Sequence, residues 1–204
     1  MPLAAAVRRT LAVLAVALLV ACGGSGADDE TADDTAEDVD ELSPVPDPLE
    51  SLAEPPPGQG VAVIGIDELS FAVTRCDDGP APGDTPEATL EYVVEGSGET
   101  SPDGAFSVEI TRYRSDTGAA EPVITETARI VFGEGTEAVG IEAKRTTTGS
   151  DGRWRDLTDP EVTSPLVDRS DDAVDVRANF GPEGAVAGDE GIEEGRIRAA
   201  CPPA

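Results

Sequence analysis

Histidine is absent from this chain. That absence removes Ser-His-Asp and Cys-His catalysis and every imidazole metal site. Lysine is nearly absent too, with Lys144 alone, while 42 acidic residues leave a net charge of −28. A surface this acidic repels phosphates, so nucleic-acid binding and attachment to anionic lipid through a basic patch are both disfavoured. Aromatic residues make up only 3% of the chain, and with few large aliphatics they make a large apolar ligand cavity hard to line. The three cysteines, Cys22, Cys76 and Cys201, have none of the short spacings that thioredoxin-like or zinc chemistry needs. Gly96-Ser97-Gly98 is not a nucleophile elbow, and no glycine pair leads into a helix that would cradle phosphate. Two carboxylates could act as acid and base on a glycan, but with 42 acids such pairs arise by chance. The expectation is a protein that is not an enzyme and carries no cofactor.

What the sequence does contain begins at its N-terminus. Arg8 and Arg9 precede an apolar run from Thr10 to Val20, and small residues lead to Cys22. This is the pattern of an export signal, and the run is shorter than the roughly 20 apolar residues that a bilayer span takes. The ending Leu19-Val20-Ala21-Cys22 resembles the lipobox of bacterial lipoproteins. The resemblance implies a signal peptide over residues 1–21, diacylglycerol on the Cys22 sulfur and cleavage before Cys22. A plain secretory signal and an uncleaved anchor helix are the other readings, the latter opposed by Gly23-Gly24-Ser25-Gly26. With so acidic a chain, membrane attachment has to come from the lipid.

Residues 22–59 read as a disordered tether. An acid block runs from Asp28 to Glu41, and prolines follow at 44, 46, 48 and 55–57. So little apolar surface cannot offset the ordering entropy, and the prolines favour an extended chain. A flexible segment of this length spans about 35 Å, which would hold the following domain off a membrane. A short helix over 49–53 would be marginal alone.

From residue 60 to 204 the pattern becomes period-two alternation punctuated by turns. Val61–Ile64, Leu69–Val73, and the strand carrying Leu90, Tyr92 and Val94 come first. Phe106, Val108 and Ile110 then alternate with polar residues, as do Ala128, Ile130 and Phe132. Gly133-Glu134-Gly135 joins this last strand to Val139, Ile141 and Ala143 as the best hairpin candidate. Asp77–Pro86, Gly96–Gly104 and Asp156–Asp172 read as connections, and Val174 to Phe180 as a half-buried strand. A final strand closes at Cys201. About eight short strands and no helical period predict an all-β domain, a single antiparallel β-sandwich or open barrel.

With Cys22 assigned to lipid, Cys76 and Cys201 remain as an even pair in an oxidising compartment, which points to a disulfide between the two ends of the domain. Two free buried thiols are the alternative. Arg153-Trp154-Arg155 is a basic, aromatic triplet in an acidic chain. It is either a ligand-binding tip that stacks on a wall polymer or a core-filling tryptophan between paired arginines. Asp168, Asp171, Asp172 and Asp175 crowd one loop and are weak candidates for calcium, but they match no EF-hand spacing, so the expectation is no metal.

The lipobox, the polar tether, Phe71-Ala72-Val73-Thr74-Arg75-Cys76 and the terminal Ile197-Arg198-Ala199-Ala200-Cys201 together resemble the LpqH-type mycobacterial lipoprotein antigens. The tether is richer in acids than is typical there, and residues 154–172 have no counterpart in that layout. The resemblance implies a surface-exposed envelope lipoprotein and supplies no active site. The expected function is thus a lipid-anchored binding or interaction module at the outer face of the cell membrane, its partner a cell-wall polymer or an envelope protein. A structural envelope component and a carrier of an apolar ligand are the alternatives.

Overall fold

The computed structural model describes residues 49–82, 88–100, 104–116, 121–149 and 152–203. The expected signal peptide, Cys22 and the first part of the expected tether lie outside the described residues. Within them, period-two sequence becomes strand. The strands are β1 (Gln59–Ile64), β2 (Asp67–Pro82), β3 (Ala88–Thr100), β4 (Gly104–Ser115), β5 (Val123–Phe132) and β6 (Val139–Thr148). Two short strands, β7 (Arg155–Asp156) and β8 (Val167–Arg169), precede β9 (Ala173–Phe180) and β10 (Glu193–Ala200). No α-helix forms among the described residues; a single 3-10 turn at Gly135–Glu137 lies in the β5–β6 hairpin.

All ten strands belong to one antiparallel sheet, ordered β7-β6-β5-β4-β3-β2-β1-β10-β9-β8. The all-β expectation therefore holds in its open-barrel form: the sheet curls into a half-barrel and does not pack against a second sheet. The cause is visible in the burial pattern. On one face Leu69, Phe71, Val73, Val94, Phe106, Val108, Ile110, Ile130, Val176, Phe180 and Ile197 form one continuous core. The other face carries ion pairs such as Arg177–Glu194 and Arg196–Asp175. With one apolar face only, curling the sheet on itself buries that face without a second layer. The curl is far enough that β6 meets the end of β9 in an isolated antiparallel bridge, Glu142 to Gly181.

Phenylalanine and glycine set how tight the curl is. An added Cβ at Gly60 would lie 2.1 Å from the Phe71 ring, and one at Gly96 would lie 2.5 Å from the same ring. Gly98 bears the same relation to Phe106, and Gly195 to Ile64 and Phe180. A chain with few aromatics thus spends three of its four phenylalanines against bare glycine backbone, where a ring lies flat across a strand that has no side chain of its own.

Four segments differ from their sequence reading, one of them Asp156–Asp172, read as a connection, which contains β8 and the end of β7. Asp77–Pro82 continues β2 and Gly96–Thr100 continues β3, because the sheet partners Val93, Tyr92 and Ser107 hold their backbones in the ladder despite the turn-forming residues. Leu49 to Gly58, read as the end of the tether, is fixed on the sheet. Leu49 is only 6% exposed. The Leu49 carbonyl accepts a bond from Arg196 Nη1 at 2.6 Å, and the Leu52 carbonyl one from Arg198 Nη1 at 2.8 Å. Here Leu49 and Glu50 form a turn and no helix. The disulfide joins Cys76 to Cys201 with a Cα–Cα distance of 5.7 Å. It ties β2 to the residue after β10 just beyond the start of β1, where Gly58 bonds to both neighbours, through its N–H to the Ala200 carbonyl and its carbonyl to the Val73 N–H.

Candidate binding groove at the seam of the sheet

The region from Gly152 to Arg169 crosses the open side of the half-barrel as a strap, and charged groups that the core would otherwise exclude hold it there. Glu126 of β5 is 1% exposed. Its carboxylate accepts from Arg112 Nη1 at 3.0 Å and from the backbone N–H groups of Leu166 and Val167 at 2.8 and 3.1 Å. Arg145 of β6 donates Nε to Asp156 Oδ2 at 2.9 Å, Nη1 to the Pro165 carbonyl at 2.7 Å and Nη2 to the Arg177 carbonyl at 3.2 Å. The other Asp156 oxygen accepts the Thr158 hydroxyl at 2.7 Å and two backbone N–H groups. Each buried charge has an opposite charge and further hydrogen bonds, the condition under which burial is tolerated.

Tyr92 lies beside this network with its hydroxyl buried and short of hydrogen-bond geometry. The Arg169 guanidinium sits 5.0 Å from its ring centroid and also pairs with Asp78. Burial pushes the Tyr92 phenol well above its ordinary range; the nearby Glu126 carboxylate adds to the shift, while Arg112 and Arg169 oppose it.

Among the residues singled out from sequence, Trp154 is 7% exposed and packs with the Arg112 guanidinium 5.8 Å from its ring centroid. It fills the junction between strap and sheet, and the indole does not stand out as an open stacking platform. A polar tip of the chain cannot bury a side chain of this size, whereas the strap gives it a wall on each side. Arg153 and Arg155 are exposed on either side of it. The four aspartates do not converge. Asp175 is taken by Arg196 at 2.5 Å and Arg198 at 3.2 Å, and Asp172 faces Ser170. Among the described residues no group of three acidic or thiol ligands could hold a metal.

The concave feature that sequence reading did not find lies on the outer side of the seam. β6 supplies its floor through Glu142, Lys144 and Thr146. One wall comes from Arg155 to Thr158 of the strap and the other from Pro182 to Ala185 after β9. The cleft holds about 420 Å³, within the range of small-ligand sites. Leu157, 63% exposed, forms its crest and separates it from a second recess of about 460 Å³ lined by Arg153, Trp154 and Pro160. Arg155 borders both hollows. No sequence signal marks this place, because its three parts, 142–146, 155–158 and 182–185, are separate in the sequence and the last meets the first only when the sheet curls.

Comparison with known proteins returns no match: no family model, no curated protein and no solved structure corresponds to this chain.

Proposed function

We propose that this chain is an exported, lipid-anchored binding module of the cell envelope, held at the outer face of the cytoplasmic membrane through lipid on Cys22. The observation that carries the reading is Leu19-Val20-Ala21-Cys22 at the end of an apolar run. The disulfide supports it in two ways. A bridge between Cys76 and Cys201 suits an oxidising compartment, and it leaves Cys22 as the one cysteine of the three outside it. The tightly filled interior, with Ile110, Ile130, Val176 and Ile197 fully enclosed, turns the search for a ligand from the inside of the half-barrel to its outer surface. This favours surface recognition over carriage of an apolar cargo inside the sheet.

The test is the intact mass of the protein purified from a native-like host. A mass that starts at Cys22 and includes acyl groups supports the reading. A mature mass without acyl groups would make this a freely secreted protein and overturn the anchored location.

A further inference from the structure

Lys144 is the only lysine of the chain, and it stands on the floor of the seam cleft. Nine arginines, Arg75, Arg112, Arg114, Arg129, Arg145, Arg169, Arg177, Arg196 and Arg198, each pair with a carboxylate. Lys144, in contrast, is exposed and makes no ion pair among the described residues. In a chain with three acids for every base, an exposed ammonium without a carboxylate partner is an exception that calls for a counter-charge.

The backbone beneath it also keeps a donor free. Alternate residues of an antiparallel strand direct their N–H and C=O groups to the same edge. Glu142 exchanges both bonds with Gly181, at 2.8 and 3.1 Å. β7 pairs with β6 only at Arg145 and Thr146. The N–H of Lys144 therefore faces the gap between these two pairings, where no described residue takes it up, while its carbonyl lies where the Arg145–Asp156 pairing sets the Leu157 N–H. The gap is flanked by Leu157, Pro182 and Ala185.

From this arrangement we propose that the cleft binds an apolar ligand ending in a single carboxylate, with the carboxylate on the Lys144 ammonium and backbone N–H and the apolar body between Leu157 and Ala185. One negative charge suits the cleft better than two, because Glu142 and Glu183 also border it and would repel a doubly charged phosphate. The chemistry is shared by a medium-chain fatty acid and by the free C-terminus of an apolar peptide. The inference deepens the binding-module reading and rests on it for a biological role. The chemistry of the cleft is tested separately from the lipid anchor.

The test uses the full chain with Cys22→Ser, which needs no detergent, in isothermal titration calorimetry. The probes are decanoate and 1-decanol, and N-acetyl-Val-Leu-Leu as free acid and as amide. Saturable binding of decanoate at least tenfold tighter than of the alcohol assigns the site to fatty acids. The same preference for the peptide acid over its amide assigns it to peptide termini. In either case Lys144→Gln weakens binding at least tenfold with an unchanged melting temperature, Lys144→Arg retains most of it, and Leu157→Glu abolishes it. The proposal is overturned if neither carboxylate binds saturably, if the neutral analogues bind as well, or if Lys144→Gln binds like the parent. Absence of acyl groups on Cys22 in the mass experiment would move the protein's location and leave this result standing.

Discussion

At the scale of single residues, the half-barrel depends on side chains that are missing as much as on those present. Gly96 leaves room for the Phe71 ring, and a methyl group there would sit 2.5 Å from a ring carbon and 2.8 Å from the Ala72 carbonyl oxygen. Neither backbone nor buried ring can move away freely, so Gly96→Ala is expected to destabilise the domain by about 1–3 kcal/mol in urea unfolding. An unchanged midpoint would show that the ring is loosely held. Tyr92 gives a pH signature. Its phenol stays protonated in the folded domain beyond the pH at which an unfolded tyrosine, with a pKa of about 10, ionises. The unfolded chain then binds fewer protons than the native one, so stability falls as pH rises above that value, by about 1.4 kcal/mol per pH unit. Tyr92→Phe should flatten this alkaline decline; an equally steep decline in the variant would place its origin elsewhere. The tyrosine was legible from sequence as an inward strand residue, and its neighbours Glu126 and Arg169 were not, since they come from β5 and from the strap. Arg153-Trp154-Arg155 stood out in the sequence for its composition, but composition does not say whether an indole faces solvent or a strap.

At the scale of elements, the strap is the part that departs furthest from pattern-based reading. Residues 152–169 lack periodicity, and only three-residue β8 and two-residue β7 tie them to the ladder. Their order comes from side chains of the sheet: Glu126 for Leu166 and Val167, and Arg145 for Asp156 and Pro165. Removing one partner of such a network leaves a buried charge or two buried N–H groups without partners, at about 3–5 kcal/mol. Glu126→Ala is therefore expected to release the strap, and protease cleavage between Leu157 and Ser164 should accelerate well before the sheet itself unfolds. Glu126→Gln, which keeps acceptor oxygen for the backbone N–H groups, should be cut more slowly than the alanine variant. Equal protection of the alanine variant and the parent would show that Trp154 and Leu166 hold the strap by packing alone. The alternating strands β4, β5, β6 and β9, by contrast, were readable almost residue by residue, because one face of each is buried and a slip of one residue would turn its apolar set outward.

At the scale of the whole molecule, the ends of the domain are brought together and locked. β1 lies between β2 and β10, so the first and last strands are neighbours, and the disulfide joins residues 125 apart. In the chain-entropy account, closing so long a loop restricts the unfolded state by up to about 5 kcal/mol. Reduction, or Cys76→Ser with Cys201→Ser, should lower the thermal midpoint strongly while far-UV circular dichroism at low temperature stays that of a β-sheet. A midpoint that does not move would mean that the ladder of β1 with its two neighbours suffices alone. The sequence by itself determined the class of structure, the longer alternating strands, the inward face and the cysteine pair, because each follows from local alternation or from counting residues of one type. It also contains the N-terminal pattern on which the proposed location rests. Only the tertiary structure decided that the strands make one curled sheet, that residues 49–58 join it, and that Lys144, Leu157 and Ala185 border one cleft. Those outcomes depend on which edges meet when a sheet with a single apolar face closes on itself, and no short stretch of sequence contains that contact.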